Sequence, residues 1–170
     1  MALYSTGVEY GLHCLLFLAD LPAGERASSA ELAELQGVSP TYVAKLFTAL
    51  RNAGIVDAAE GARGGYRLAR SADSISVLDV IKALEGDKPL FQCREIRSQC
   101  ALFEGNPPGW ATRGMCSIHA VMVEAEDQMK TVLGRHTLAA LSAKVASKAP
   151  RSFAAGVSQW LSERRNAARK

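Results

Sequence analysis

Three cysteines, Cys93, Cys100 and Cys116, fall within one stretch of chain, and His119 follows the last of them by three residues. Thiolates are soft, negatively charged donors, suited to iron or zinc and to reversible oxidation. A second set lies near the start of the chain. Glu9 and His13 are spaced i, i+4, so on a helix both project from one face. The fourth cysteine, Cys14, sits in an apolar run, where a thiol most often fills a core. His136 stands apart from both sets. The short Cys-to-Cys spacings of zinc modules are missing. No nucleotide-binding glycine loop, triad order or paired-carboxylate motif accompanies the thiols. The chemistry on offer is metal binding or redox change at sulfur, with an enzyme built on a Cys–His pair as the weaker alternative.

With 170 residues, 48% of them hydrophobic, the chain has the size of one compact domain, or of one domain with an attached element. Aromatics at 6% lean the expectation toward helices rather than an all-β fold. A net charge of +3 is too small to establish a nucleic-acid partner, so the placement of charge has to carry that argument. No apolar run approaches the length of a membrane span. The stretch 12–19 is short, contains His13 and follows a segment with Glu9 but no Lys or Arg, unlike a secretory signal. The expectation is a cytoplasmic protein without a membrane partner, its thiols kept reduced and available for metal or redox chemistry.

The elements that must position these groups are legible from periodicity and caps. Residues 4–20 read as a helix with Val8, Leu12, Leu15, Leu16 and Ala19 on one face, stopped by Pro22 and Gly24. Ser28 and Glu31 form a capping box for a short helix that Gly37 ends. After one turn, Ser39 caps a further helix with Pro40 at its first position and Val43, Leu46, Phe47 and Leu50 facing inward. Ile55-Val56 and Tyr66-Arg67-Leu68, separated by a Gly- and Arg-containing loop, give a hairpin signal. Ser76 and Asp79 cap another amphipathic helix, closed by Gly86. Residues 87–116 show no clear period, and an irregular stretch of that length points to function or disorder. Residues 117–133 read as a long helix, and 137–145 as a further short helical turn.

Helix, capped helix, turn, capped helix and basic hairpin is the order of a winged helix-turn-helix. The fold class expected is mainly α with a small β wing, joined to a long dimerisation helix. In such a fold the second helix of the pair enters the major groove by its N-terminal end, which here presents Ser39, Thr41, Tyr42 and Lys45. The hydroxyls suit base edges or phosphates, while Lys45 and Arg51 neutralise backbone charge. The hairpin tip offers Arg63 and Arg67, with glycines including Gly65 that allow close approach to DNA. Between Pro40 and Arg70 the local charge excess is +3, concentrated where this reading needs it.

These stretches resemble the family of winged-helix regulators that includes IscR, NsrR, RirA and CymR. The resemblance rests on residues 42–56, on the wing Gly64-Gly65-Tyr66-Arg67-Leu68, on 75–86 and on Thr137-Leu-Ala-Ala-Leu141, and covers about residues 1–145. It implies a homodimer that binds double-stranded promoter DNA, with the long helix crossing that of its partner. It also implies that cysteines in the segment before the long helix hold an iron–sulfur cluster. The spacing departs from the family pattern: Cys93-x6-Cys100 is close to the usual separation, whereas Cys100-x15-Cys116 is much longer than the usual second gap. Two sources for non-cysteine ligands stay open. His119 fits the Cys-x2-His pattern of some members. Residues 7–14 resemble a redox-sensing branch in which a glutamate and a histidine, here Glu9 and His13, join two cysteines to bind a [2Fe–2S] cluster across the dimer interface. Ala44 and Lys45 stand where some relatives carry longer polar or acidic groups, so the operator is not transferable from them.

The expected organisation is a winged helix-turn-helix over 1–86, a cysteine-containing sensor loop over 87–116, a dimerisation region over 117–148 and a basic tail over 149–170. In the tail, Phe153, Val157, Trp160 and Leu161 follow helical spacing ahead of Arg164, Arg165, Arg169 and Lys170. That pattern suits docking on a partner subunit, DNA or a membrane surface; the plainer reading is a partly ordered, solvated tail. The function expected is a regulator whose promoter binding follows cluster redox state, nitric oxide or cluster supply. The alternative within DNA binding is a cluster-free regulator acting through thiol oxidation or a protein partner.

Overall fold

The computed structural model describes residues 2–61, 64–150 and 152–167. Eight α-helices and one hairpin follow in order: α1 (Thr6–Ala19), α2 (Ser29–Gln36), α3 (Pro40–Asn52), β1 (Val56–Ala59), β2 (Gly65–Leu68), α4 (Val77–Glu85), α5 (Gly109–Thr112), α6 (Ser117–Arg135), α7 (Leu138–Lys148) and α8 (Ser152–Ala167). They fall into two compact units, one of Met1–Gly86 with Leu133–Lys170 and one of Asp87–Val132.

In the first unit, local chemistry sets the helix ends. Ser28 Oγ accepts the Glu31 N–H at 3.1 Å while the Glu31 carboxylate accepts the Ser28 N–H at 2.7 Å, so two orphan donors of α2 are satisfied reciprocally. Gly37 ends α2 at φ 65°, a conformation glycine adopts without the steric cost of a Cβ. The same box recurs at Ser76 and Asp79, with bonds of 2.9 and 3.0 Å. Strands β1 and β2 pair antiparallel in the register Val56↔Leu68, Asp57↔Arg67, Ala58↔Tyr66 and Ala59↔Gly65.

The apolar faces of α1, α2, α3 and α4 meet in one core, where Leu15, Leu32, Val43, Phe47, Leu50 and Val80 are fully buried. Cys14 belongs to it, and burial pushes its thiol pKa up to about 12, so it is an inert core residue. Helix α7 returns to this unit: Thr137 caps it, the Leu138 N–H donates to the Ile75 carbonyl at 2.9 Å, and Leu138 is buried.

The tail is not a solvated appendage. Leu161 of α8 is fully buried, with Val157 and Trp160 packed against the same core. Arg164 pairs with Glu34, while Arg165 pairs with Glu25 and donates to the Arg26 carbonyl. Burying a leucine contributes about 1.5–3 kcal/mol, more than exposed ion pairs usually do, so Leu161 carries the docking and the arginines orient it.

The second unit holds two 3-10 turns (Ile96–Gln99 and Ala101–Phe103), α5 and most of α6. The irregular reading of 87–116 stands in the sense that its helical pieces are too short to show a period. No residue of α6 is buried, and Ile118, Val121 and Val132 are more than half exposed. Among the described residues, no helix is long and apolar enough to cross a membrane.

Candidate nucleic-acid interface and cysteine segment

Ser39 Oγ accepts the Tyr42 N–H at 3.5 Å, which fixes the N-terminus of α3 and leaves the hydroxyl proton free to donate outward. Thr41, Lys45 and Arg51 are exposed along the same helix. Arg51 lies in the last turn of α3, where a cation also complements the helix dipole. Tyr42 is turned inward. Its ring meets Tyr10 of α1 edge-on at 5.9 Å, and its hydroxyl lies 2.8 Å from where a Cβ on Gly7 would stand.

In the wing, Arg67 donates from Nε and Nη2 to the Asp57 carboxylate at 3.1 and 3.0 Å. Sequence reasoning missed both the acid and its second partner. Arg26 donates to the same carboxylate at 3.3 Å and to the Asp57 and Gly65 carbonyls at 3.3 and 3.2 Å. The register Asp57↔Arg67 would have shown the first pair, since facing residues of a hairpin interact; nothing local marks Arg26. Arg63 lies outside the described residues.

Gly65 serves a close approach within the chain. At φ +124°, its missing Cβ would stand 2.8 Å from the Ala27 carbonyl carbon and 3.0 Å from the Ser28 nitrogen. There Ala27 and Tyr66 exchange backbone hydrogen bonds of 3.0 and 2.8 Å. Gly65→Ala is therefore expected to cost about 1–3 kcal/mol, read as a lower urea midpoint. An unchanged midpoint would mean that the wing does not need this approach.

The carboxyl of Asp57 is held below the usual range by hydrogen bonds from Arg67 first and Arg26 second. A depressed folded pKa contributes stability above the unfolded value of about 3.9 and loses it as pH falls through the folded value. Wild type should thus lose part of its stability below about pH 4, and Asp57→Asn should flatten that part of the profile. Urea midpoints from pH 3 to 6 test this; parallel curves for the two proteins would refute it.

Glu9 and His13 are exposed on α1. With Val8, Leu12, Leu16 and Leu141 they line an open, largely apolar groove of about 550 Å³ in the first unit. The other three sequence candidates lie in the second unit. Cys93 and Cys116 are half-buried, and Cys100 is exposed. Cys93 Sγ accepts the Glu95 N–H at 3.4 Å, the kind of bond that tunes thiolate ligands. Glu95 itself holds φ 51°, uncommon for a residue with a side chain. Arg97, which sequence reasoning also missed, pairs with the Glu95 carboxylate and reaches the Thr112 and Gly114 carbonyls at 3.5 and 2.9 Å. Its guanidinium pKa is raised, first by the Glu95 hydrogen bond and then by the charges of Glu95, Cys116 and Cys93. His119 packs its ring against Phe91 at 6.1 Å. Among the described residues, no three His, Cys, Asp or Glu side chains converge where they could hold a metal ion.

A capped helix pair, an exposed hydroxyl and lysine edge on α3 and a two-stranded wing define a winged helix-turn-helix DNA-binding protein. The chain belongs to the Rrf2 family, described as iron-dependent transcriptional regulators, whose model matches residues 4–144. It is 31% identical over 160 residues to a Lactococcus lactis protein named as an HTH-type transcriptional regulator, YffB, covering 94% of this chain and 97% of that one. Among solved structures it is similar to CymR, the global cysteine regulator of B. subtilis, at 28% identity and a TM-score of 0.67, covering 85% of this chain and 98% of that one. It is likewise similar to T. potens IscR, at 26% identity and a TM-score of 0.65, covering 89% and 95%. The protein is a transcriptional regulator and not an enzyme.

Proposed function

We propose that this regulator is a homodimer whose promoter binding is set by a [2Fe–2S] cluster, with Cys93 and Cys116 of one chain and Glu9 and His13 of a second copy as ligands. The observation that carries the reading is a hydrogen-bonded path between the stretches bearing two half-buried thiols: the Cys93 sulfur accepts the Glu95 N–H, the Glu95 carboxylate accepts from Arg97, and Arg97 donates to the carbonyl of Gly114, two residues before Cys116. Their chemistry fits a cluster: soft donors, one of them already accepting a backbone N–H. Two thiols are half of the donors a cluster needs. Glu9 and His13, exposed at an apolar groove, supply the other half when that groove faces a second copy. Cys100, exposed, is a spectator in this arrangement. The unpartnered apolar residues of α6 support the dimer, because soluble chains rarely leave such a stripe in water.

When bound, the cluster supplies a one-electron redox change, and mixed nitrogen and oxygen ligation raises its potential above that of an all-thiolate site. The chain's own residues do the rest. Ser39, Thr41, Lys45 and Arg51 of α3 and Arg67 of the wing meet the DNA. Tyr42 holds α3 against α1, the helix that carries Glu9 and His13. A change at those ligands then has a short path to the recognition helix.

The test is the visible spectrum of protein purified without oxygen, with iron and sulfide counted per chain. About two irons per chain support the reading, because in a symmetric dimer the proposed ligand set forms twice and holds one [2Fe–2S] per subunit. A colourless, iron-free protein after attempted reconstitution overturns the reading. It would favour a cluster-free regulator acting through its thiols or a protein partner, to which the similarity to a cysteine regulator lends support.

A further inference from the structure

We propose that Arg97 is the positioning residue of the cysteine segment, the side chain that holds the stretch bearing Cys93 beside the stretch bearing Cys116. The proposal rests on the sulfur-site reading above for its meaning, and on geometry within one unit for its support. Residues 87–116 contain no sheet and only short helical turns, so no backbone ladder brings the two cysteines together. One hydrogen-bonded path links the stretches that bear them. The Cys93 sulfur accepts the Glu95 N–H, the Glu95 carboxylate accepts Arg97 Nε, and Arg97 Nη2 donates to the carbonyl of Gly114, two residues before Cys116. A weaker bond to the Thr112 carbonyl, at 3.5 Å, ties in the end of α5.

The side-chain type matters. A guanidinium directs donors from a planar fork, so one group reaches a carboxylate on one side and two carbonyls on the other. Lysine keeps the charge but cannot hold this fixed geometry. At 23% exposure, the Arg97 side chain is less exposed than that of Glu95, which is half exposed. Its charge has a second consequence. A cation within the segment that carries both sulfurs favours the more negative state of whatever they bind, so it raises the midpoint potential of a bound cluster.

The experiment separates fork from charge. In metal-free, full-length Cys100→Ser protein, dibromobimane bridges Cys93 to Cys116 and becomes fluorescent only on bridging; mass spectrometry verifies that the bridge lies within one chain. Arg97→Ala and Arg97→Lys should both slow bridging about tenfold, as expected when two tethered groups lose effective concentration. In iron-loaded protein, Arg97→Lys should keep the wild-type midpoint potential and Arg97→Ala should lower it. Circular dichroism confirms that both variants fold. Bridging at the parent rate in both variants overturns the proposal, as does a Cys100→Ser parent that does not bridge at all. If the parent bridges and the variants do not, while no preparation holds iron, the positioning role stands and the cluster reading fails. If iron binds normally and bridging is indifferent to Arg97, only the positioning role fails.

Discussion

Protein carrying alanine at Cys93 or at Cys116 is expected to emerge from anaerobic purification colourless and without stoichiometric iron, whereas Cys100→Ala retains both. A small cluster is held by four donors, and the two thiolates are the soft, anionic ones on which iron–sulfur bonding depends. Changing even an outer partner of a metal ligand costs about 10–100-fold in affinity, so loss of a ligand itself should leave no cluster through a gel-filtration step. The fold should survive, because neither side chain is part of the hydrophobic core and Cys100 is exposed. Circular dichroism and retained binding to non-specific duplex DNA provide that control. Full colour in Cys93→Ala would remove the proposed ligand set. Loss of colour in Cys100→Ala would make Cys100 a ligand and return the choice of donors to all three cysteines.

The second large effect concerns the DNA-binding unit itself. Phe47→Ala should lower unfolding free energy by about 3–5 kcal/mol. Phe47 is fully buried, sits on the inner face of α3 and meets Tyr66 of β2 at 4.8 Å with rings inclined at 62°. It is thus shared by the recognition helix and the wing, and no smaller side chain fills its place without a cavity. For a chain of this size, each kcal/mol shifts Tm by about 2–4 °C, so the melting temperature should fall by roughly 6–20 °C. Weakened DNA binding should follow the unfolded fraction rather than the intact fold, since Phe47 touches no solvent. A loss below about 1 kcal/mol, the range of a surface change, would show that recognition helix and wing do not share this contact.

Local sequence signals set the ends of the DNA-binding helices and their order. Ser28 with Glu31, Ser39 with Pro40 and Ser76 with Asp79 act across three residues or fewer, and the bonds they predict are present. Such signals are legible because both partners sit within one helical turn, and spacing alone decides their meeting. The apolar periods of α3 and α4 likewise carry core residues, whereas on α1 the core takes Cys14, Leu15 and Leu18 and leaves Leu12 and Leu16, expected on the inner face, only partly buried. The remaining contacts arise from the packed fold. Arg26 reaches Asp57 and Gly65 across 31 and 39 positions, and Arg97 reaches Gly114 across 17. It also turned Tyr42 toward Tyr10 and sank Leu161 of the tail into the core of the first unit. No local pattern encodes these meetings, because each depends on where whole helices come to rest once their apolar faces are buried, and a basic or aromatic residue looks the same in sequence whether it then meets DNA or its own chain.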